Sequence, residues 1–345
     1  MSEIRAAIDD LVSRGRVDPI RLGGAFAEIM DGEAASAAAA GLLIALRMKG
    51  ETVEEIVAVA RALRARSATA KASDPRTIDT CGTGGSGIDT FNISTTAAFV
   101  VAGAGVPVAK HGNRAATSRS GSFDVLEALG VRIDLPIERY AEILEQIGIA
   151  PFFARTAHPA FRHVAPVRAE LGVRTLLNCL GPLLSPVGAL YQVVGVYSAA
   201  LVESLAGALA ELGAKRALVV HGSDGMDELT TTGPSSAALV SGGRVETMKI
   251  DPQDLGLERA KLEDLAGGTP GENALTTRAI LAGEIGAQRD IVLLNAAAAL
   301  WVVEEARTLE AGIEIAARSV DEGAAAAKLE ALAKATTQAG EGSPA

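Results

Sequence analysis

A glycine-rich loop and a hydroxyl-rich segment lie close together in the first third of the chain. Residues 82–87 read GTGGSG, and residues 92–96 read NISTT. Glycines let a backbone approach an anion closely, and their successive N–H groups can all point at it. A helix that begins at residues 92–96 adds further free N–H groups and a favourable dipole. These residue types therefore predict phosphate binding.

Two more polar stretches follow along the chain. Residues 106–110 predict a strand that delivers Lys110 to the carboxyl edge of a sheet, with KHGNR at 110–114, and SRSGS at 118–122 precedes another apolar helical pattern. Each signal has a structural alternative, since the loop can be a simple turn, Ser94 or Thr95 a helix cap, and Lys110 a surface residue. Two helix starts and a basic loop from consecutive β–α units nevertheless indicate one phosphate site.

An adjacent acid pair is the candidate metal site. Asp227 and Glu228 follow an expected strand at 217–221 and the turn GSDG at 222–225. Mg²⁺ favours one or two carboxylates together with phosphate oxygens and waters. Because such pairs are usually solvated surface residues, the metal interpretation depends on the phosphate site described above.

Arg168 is the candidate ligand for a carboxylate. It ends the segment HPAFRHVAPVR (158–168), and its helical neighbours Val164 and Leu171 are apolar. A guanidinium group can hold a carboxylate through two parallel hydrogen bonds. We interpret His163 and His221 as ordinary hydrogen-bonded histidines.

The first seventy residues predict short helices. Asp18 before Pro19 is a typical helix start, and Thr52 with Glu55 fits a capping box. Residues 34–48 are apolar nearly all round, which favours burial against other helices or a second subunit.

The rest of the chain predicts an α/β domain. Strand-like runs at 77–80, 106–110, 192–197 and 217–221 alternate with helical patterns at 95–104, 123–129 and 199–212. Such alternation is typical of a mostly parallel sheet. Residues 237–250 predict a hairpin that turns at Gly242 and Gly243, and 276–285 and 290–309 predict long helices.

Composition restricts the classes of partner. The net charge of -10 over 345 residues argues against nucleic-acid binding, which requires a basic footprint. Cys81 and Cys179 provide neither a disulfide framework nor a metal pair, and we interpret both as small apolar side chains. The chain shows no signal-peptide pattern and no run of about twenty apolar residues, so we expect a cytoplasmic protein without membrane contact.

Several motifs together resemble one family. GTGG with TFNIST, KHGNRAATSRSGSFDVLEALG, HPAFRHVAPVRAELGVRT and MDELT are similar to anthranilate phosphoribosyltransferases, over nearly the whole chain. The resemblance implies a small helical domain at 1–70, joined by a helical segment near 168–186, and an α/β domain at 71–167 and 187–345, of the class seen in nucleoside phosphorylases and such phosphoribosyltransferases. It also implies a homodimer formed through the helical domains.

The family reaction transfers the phosphoribosyl group of phosphoribosyl pyrophosphate to the amino group of anthranilate in tryptophan biosynthesis. The resemblance assigns no residue as a general acid or base, and it gives Lys110 and Mg²⁺ the stabilisation of the leaving group. It places Gly82, Asn113 and Arg168 at anthranilate and Ser94, Asp227 and Glu228 at Mg²⁺. The residues that it implies at the phosphoribosyl donor are Gly82, Gly85, Ser86, Thr90, Asn92, Ile93, Ser94, Thr95, Lys110, His111, Gly112, Asn113, Arg114, Ala115, Ala116, Thr117, Ser118 and Ser122.

This chain departs from the family pattern at two positions. Ser86 stands where the family usually has an acid, which removes one negative charge beside the pyrophosphate. Ser185 stands where the family has Asn before a proline, in a turn that we expect near the entrance for the aromatic substrate.

The residues fit this chemistry independently of the resemblance. Displacement of pyrophosphate needs charge neutralisation, which a metal and backbone N–H groups provide. An aniline nitrogen is already neutral at pH 7, so no strong base is required. Two alternatives remain: a pyrimidine nucleoside phosphorylase of the same fold class, which the acid pair disfavours, and a non-catalytic relative that binds nucleic acid, which the charge disfavours.

Overall fold

The computed structural model of the chain describes residues 2–115 and 119–341. Its N-terminal part is helical, with α1 (Glu3–Arg14), α2 (Pro19–Met30), α3 (Ser36–Lys49) and α4 (Val53–Arg64). Asp18 caps α2 by accepting hydrogen bonds from two backbone N–H groups, and Thr52 and Glu55 form a reciprocal capping box at α4. Both predicted helix starts are confirmed.

Seven strands of the described chain form one sheet in the order β3-β2-β1-β4-β5-β6-β7. All pairs from β3 to β5 are parallel, and β6 and β7 are antiparallel. Gly242 and Gly243 have φ of 57° and 75°, so the predicted hairpin turn is confirmed. The strands are β1 (Ile78–Gly82), β2 (Val108–Gly112), β3 (Ile149–Phe153), β4 (Tyr191–Gly195), β5 (Arg216–Gly222), β6 (Ser235–Ser241) and β7 (Arg244–Ile250).

Helices cover both faces of the sheet. They are α5 (Ile93–Gly103), α6 (Ser122–Ala128), α7 (Ile137–Ile147), α8 (Ala154–Ala157), α9 (Ala165–Leu171), α10 (Leu201–Glu211), α11 (Pro270–Leu281), α12 (Ala287–Val302), α13 (Leu309–Asp321) and α14 (Ala324–Glu341). Short 3-10 helices span Pro159–His163, Leu176–Asn178, Gly181–Leu184, Pro252–Leu255 and Leu262–Leu265.

Strand β3 and the ends of two helices are among the elements that differ from the sequence prediction. Strand β3 was not predicted, because Pro151 interrupts its apolar run; β3 lies at the edge of the sheet, where a proline is tolerated. Helix α11 begins at Pro270 instead of residue 276. Helix α12 ends at Val302 instead of 309, and Glu304 just beyond it has φ of 63°, which no helix accommodates.

The two faces of the sheet border two different hydrophobic cores. Alternate residues of β5 divide between them: Leu218 and Val220 pack with α5 and α12, whereas Ala217 and Val219 pack with the N-terminal helices and α10. Apolar residues of the segment 164–184 join the second core, although this segment lies between β3 and β4 in the chain. The segment that carries Arg168 therefore packs against helices more than a hundred residues earlier.

Among the residues that the structure describes, no helix is both long enough and apolar enough to cross a lipid bilayer.

Candidate active site

The carboxyl ends of four parallel strands form one edge of the sheet. Gly82, Gly112, Gly195 and Gly222 end β1, β2, β4 and β5. Open α/β sheets place their ligands at this edge. The candidate residues of the sequence follow these same strand ends.

The start of the glycine-rich loop after β1 is held by backbone hydrogen bonds. Gly84 and Gly85 have φ of 64° and 76°, in the left-handed region that favours glycine. The N–H of Gly84 donates to Asp227 Oδ2 at 2.9 Å, and the N–H of Thr83 donates to the Gly195 carbonyl at 2.8 Å. A Cβ at Gly82 would lie 2.9 Å from Asp227 Oδ2, so a side chain at this position would displace the acid.

Ser86 continues this loop at the position where the family pattern has an acid. Its Oγ accepts a long hydrogen bond of 3.4 Å from the N–H of Ile88. Thr90 follows in an isolated β-bridge with Ala266, which ties the end of the loop to the segment before α11. The loop is therefore attached to the rest of the domain on both sides of Ser86.

Helix α5 begins where the sequence predicted, directly after Asn92. The N–H of Ser94, in its first turn, donates to Glu228 Oε1 at 3.2 Å. The buried side chain of Ile93 points into the core, and the buried Thr95 hydroxyl has no partner in the described chain. A carboxylate thus sits at a helix N-terminus, where the dipole favours negative charge.

The side chain of Asn92 connects three segments. Its Oδ1 accepts hydrogen bonds from Ser120 Oγ at 3.1 Å and Asn273 Nδ2 at 2.9 Å, and its Nδ2 donates to the Ser120 carbonyl at 3.2 Å. The sequence prediction placed Asn92 at the donor. In the structure its amide group is largely occupied by these contacts with the loop before α6 and with α11.

Lys110 is buried, and its ammonium group points to the start of α5. Its Nζ donates to the Thr80 carbonyl at 2.5 Å and to Ser94 Oγ at 3.4 Å. Burial lowers the pKa of Lys110, and the nearby acids Asp79 and Glu228 oppose that effect. The residue is therefore positioned to meet an anion at the N-terminus of α5.

Asp79 lies in β1 and was missed by the sequence prediction. It is fully buried, its Oδ1 accepts the N–H of His111 at 3.0 Å, and its Oδ2 has no hydrogen-bond partner in the described residues. Burial raises the pKa of Asp79 to about 7, against the opposing effects of the His111 N–H and the Lys110 charge. Its place near the start of a short predicted strand is the signal that could have indicated it.

His111 faces away from Lys110, because successive strand residues point to opposite sides. Its Nε2 lies 3.1 Å from His158 Nε2, and His158 Nδ1 lies 2.7 Å from Ser67 Oγ. Burial lowers the pKa of His111 to about 3 and that of His158 to about 4, so both rings are neutral at pH 7.

The loop after β2 holds the next candidate residues. Asn113 is exposed, and its carbonyl accepts a hydrogen bond from Ser122 Oγ at 3.1 Å, which closes the loop beside Gly112. Arg114 forms ion pairs with Asp124 at 3.1 Å and Glu127 at 3.0 Å, so its charge is directed to α6. The N–H of Ala115 also donates to Asp124. The candidates Ala116, Thr117 and Ser118 lie outside the described residues.

Arg168 lies in α9 and is partly buried. Burial lowers the pKa of its guanidinium group. Within residues 2–115 and 119–341, no carboxylate lies at ion-pair distance from it. A partly desolvated cation without a counterion is suited to an anionic ligand.

Ser185, the second position at which this chain departs from the family pattern, forms a turn. Its carbonyl accepts the N–H of Gly188 at 3.0 Å, and its Oγ accepts the N–H of Ala189 at 3.4 Å. The serine therefore supports this turn through backbone contacts.

The acid pair contacts both elements that the sequence predicted to bind phosphate. Asp227 contacts the glycine-rich loop, whereas Glu228 contacts the start of α5. Burial first and the Asp227 charge second raise the pKa of Glu228 to about 7, while Lys110 opposes the shift. The described chain contains no cluster of three His, Cys, Asp or Glu that could hold a metal ion alone. The donor set suits a hard cation that also takes oxygens from a phosphorylated ligand.

Asn295 supports this acid pair and was also missed by the sequence prediction. Its Oδ1 accepts the N–H of Leu229 at 3.1 Å, and its Nδ2 donates to the carbonyls of Leu229 and Ile291, each at 2.9 Å. Leu229 directly follows Glu228. A single buried amide in the apolar helix α12 is the signal that could have indicated this residue.

Comparison with known proteins gives the class first. Residues 74–326 match the glycosyl transferase family, a/b domain, and residues 5–67 match the glycosyl transferase family, helical bundle domain. The chain therefore belongs to this two-domain class of glycosyltransferases. Its small helical domain, its mostly parallel sheet and the candidate site at the carboxyl ends of the strands agree with that class.

Sequence relatives identify the family. The chain is 50% identical over 329 residues to anthranilate phosphoribosyltransferase of Moorella thermoacetica, covering 95% of this chain and 97% of the relative. It is 54% identical over 310 residues to that of Anaeromyxobacter dehalogenans, covering 90% and 92%. The chain belongs to the anthranilate phosphoribosyltransferase family.

Solved structures agree with the sequence relatives. The crystal structure of anthranilate phosphoribosyltransferase from Thermus thermophilus has a TM-score of 0.92 at 43% identity, covering 98% of this chain and 100% of that one. The Saccharomyces cerevisiae enzyme in complex with PRPP and Mg has a TM-score of 0.88 at 27% identity, covering 97% and 98%. The predicted fold class is confirmed.

Proposed function

We propose that this chain transfers the phosphoribosyl group of phosphoribosyl pyrophosphate to the amino group of anthranilate, giving N-(5-phosphoribosyl)anthranilate and pyrophosphate in tryptophan biosynthesis. One observation carries the proposal beyond family membership. The adjacent acids Asp227 and Glu228 accept hydrogen bonds from the backbone N–H groups of Gly84 and Ser94, which lie in the glycine-rich loop and at the helix start that the sequence predicted to bind phosphate. An acid pair and a polyphosphate cradle thus meet at one place.

The donor binds at the edge formed by β1 and β2. The glycine-rich loop and the first turn of α5 provide N–H groups for the pyrophosphate, and Lys110 provides the nearest buried cation. These groups gain favourable contacts as negative charge accumulates on the departing pyrophosphate. The remaining donor residues of the family pattern, including Ser118 and Ser122, complete this site by similarity.

Mg²⁺ fits the residues at this edge, with Asp227, Glu228 and the Ser94 hydroxyl as its protein contacts. When bound with the donor, Mg²⁺ would neutralise charge on the leaving pyrophosphate. The two carboxylates accept N–H hydrogen bonds in this structure. With Asp227 and Glu228 engaged by a cation, the N–H groups of Gly84 and Ser94 would be available to phosphate oxygens.

Anthranilate binds between the loop after β2 and α9. Arg168 holds the carboxylate, because its guanidinium is partly desolvated and has no counterion in the described chain. By similarity Gly82 and Asn113 complete the acceptor site. His111 and His158 are neutral and hydrogen-bonded to each other, so they add no charge that would compete with Arg168.

Catalysis by this site depends on positioning and on stabilisation of the leaving group. The aniline nitrogen is neutral at pH 7, so the chain needs no strong base to activate it. Arg168 and the glycine-rich loop bring the nitrogen and the ribose carbon together, which contributes a large part of the rate acceleration in reactions of this kind.

The domain division and the dimer are part of the same proposal. Residues 1–70 and the segment near 168–186 form the helical domain, and residues 71–167 and 187–345 form the α/β domain. Shared burial of α1–α4 with residues 164–184 supports this division. Ile20 in α2 and Met48 in α3 are 86% and 84% exposed, and such exposed apolar side chains favour a homodimer through the helical domain. Sedimentation as a monomer at micromolar concentration would contradict it.

Loss of anthranilate fluorescence tests the proposed reaction. We expect the signal to fall when phosphoribosyl pyrophosphate and Mg²⁺ are both present, with one pyrophosphate released for each anthranilate consumed. Omission of either component should stop the reaction. Phosphorolysis of a pyrimidine nucleoside without anthranilate turnover would instead favour the nucleoside phosphorylase alternative.

A further inference from the structure

Arg174 joins the segment that carries Arg168 to the glycine-rich loop. Its Nη2 donates a hydrogen bond to the carbonyl of Gly85, and a Cβ added at Gly85 would lie 3.8 Å from Arg174 Nε. The guanidinium carbon also lies 4.3 Å from the centre of the Tyr197 ring. No carboxylate of the described residues lies at ion-pair distance from Arg174.

Tyr197 connects the same two parts of the molecule. It lies just beyond β4, and its backbone N–H donates to Thr83 Oγ1 at 3.0 Å. The ring of Tyr197 therefore presents a surface beside the loop on which a planar guanidinium can stack. Arg174 thus contacts the loop directly through Gly85 and indirectly through the Tyr197 platform.

Two neighbouring residues of the loop make contacts of opposite chemistry. On one side, the Asp227 carboxylate accepts the N–H of Gly84. On the other, Arg174 donates to the carbonyl of the next residue, Gly85. Gly85 has a left-handed backbone, with φ of 76°, and its carbonyl accepts the hydrogen bond from Arg174. A donor that holds this carbonyl fixes the orientation of the neighbouring N–H groups.

Arg174 and Arg168 lie on one short segment. Helix α9 ends at Leu171, Gly172 follows with φ of 61°, and Arg174 extends from the next turn. This segment packs on the helical core through Val167 and Leu176. Any displacement of the segment on acceptor binding is therefore transmitted to Gly85 through the Arg174 side chain.

We propose that Arg174 is a positioning residue that couples the acceptor-binding segment to the glycine-rich loop of the donor site. The inference rests on the proposed function above. Arg174 contacts neither substrate in this proposal. It makes the binding of one substrate favour the geometry that the other requires, which is a coupling between two sites.

Initial rates over a matrix of both substrate concentrations test this coupling. We expect Arg174→Ala to raise the KM of the donor about tenfold. In this variant, the concentration of one substrate should no longer change the KM of the other. Because Arg174 is exposed, the melting temperature should stay within about 2 °C of the wild type. Arg5→Ala, which removes an exposed arginine of α1, is the control for loss of charge and should leave both KM values unchanged.

A conservative variant separates positioning from simple charge. Arg174→Lys keeps the charge but loses the planar fork and the stack on Tyr197, so we expect it to behave like Arg174→Ala. Wild-type behaviour of the lysine variant would overturn the proposal and indicate direct attraction of pyrophosphate. Tyr197→Phe keeps the ring and should retain coupling.

Calorimetric binding of phosphoribosyl pyrophosphate with Mg²⁺ gives a readout apart from turnover. We expect about tenfold weaker binding to Arg174→Ala than to the wild type. Equal affinity together with unchanged coupling would overturn the role of Arg174. Wild-type protein that binds the donor but does not consume anthranilate would contradict the proposed function instead, so the two failures are distinguishable.

Discussion

Asp227 Oδ2 lies 2.9 Å from the backbone nitrogen of Gly84, a residue 143 positions earlier in the chain. The contact joins the loop after β5 to the loop after β1, across the edge where the parallel strands end. Together with the contact of Glu228 at the start of α5, it places both acids on N–H groups suited to phosphate. Metal binding and phosphate binding at this site should therefore depend on each other.

Removal of the acid pair is expected to weaken metal use. The double variant Asp227→Asn, Glu228→Gln keeps the size of both side chains but loses their charges. The Mg²⁺ concentration for half-maximal activity should rise by at least about tenfold, because changes to the residues around a metal typically weaken its binding by about this factor. A Mg²⁺ titration of initial rates measures this, with Glu330→Gln on α14 as a control for charge. An unchanged titration would reject the metal role.

Arg168→Ala is expected to impair the acceptor selectively. A hydrogen bond to a charged group contributes about 1.5–3 kcal/mol, so the KM of anthranilate should rise about 10–100-fold. The KM of the donor should change less than about threefold. Because the guanidinium is partly buried without a counterion in the described chain, its removal should not reduce the free energy of unfolding. Equal increases in both KM values would contradict the assignment.

Ser86→Asp is expected to strengthen Mg²⁺ activation. The substitution restores the acid of the family pattern in a loop whose serine makes only a 3.4 Å contact with Ile88. The half-maximal Mg²⁺ concentration should fall by roughly two- to fivefold, as for an added charge at a half-buried site that water partly screens. Ser86→Asn is the uncharged control and should resemble the wild type. A fall that is as large with asparagine would show that charge is not the cause.

Asn295→Ala is expected to lower the free energy of unfolding and to weaken activation by Mg²⁺. The variant leaves the buried N–H and carbonyl of Leu229 without their partner, at a cost of about 1–3 kcal/mol for each group. Urea unfolding measures this loss. Because Leu229 follows Glu228, the half-maximal Mg²⁺ concentration should also rise. Asn295→Asp keeps an acceptor for the N–H but places a carboxylate against two carbonyl oxygens in a buried site, so it should lose at least as much stability as Asn295→Ala. Loss of stability with unchanged Mg²⁺ dependence would restrict Asn295 to a purely structural role.

His158 is expected to make stability depend on pH. Its pKa is about 4 in the folded chain, against about 6.5 when unfolded, so the unfolded chain binds more protons between these values. The contribution of the neutral His158 ring to the free energy of unfolding is fully present above pH 6.5 and is lost as the pH falls towards 4. The urea midpoint should therefore fall more steeply for the wild type than for His158→Gln between about pH 7 and 5. Parallel slopes would show that His158 does not titrate in this way.

Local sequence patterns predicted a large part of the fold. The caps of Asp18 and Thr52, the start of α5 and the hairpin at Gly242–Gly243 depend on short-range geometry, and all are present. Strand β3 was missed because its proline is acceptable only at an edge position, which a local pattern does not show. The ends of α11 and α12 were wrong for a related reason, since helix ends depend on packing as well as on composition.

Residue types and spacing by themselves predicted the chemistry of this protein: glycines and helix starts for phosphate, adjacent acids for a metal, and an arginine for a carboxylate. Tertiary structure alone decided which of these groups meet. Parallel pairing of β1 with β2 brings Lys110 to Ser94, and the neighbouring order β1-β4-β5 brings Asp227 to Gly84. Side-chain alternation directs His111 away from Lys110, and a distant buried amide, Asn295, holds the acid loop. Such contacts depend on strand order and register, which join residues far apart in the chain.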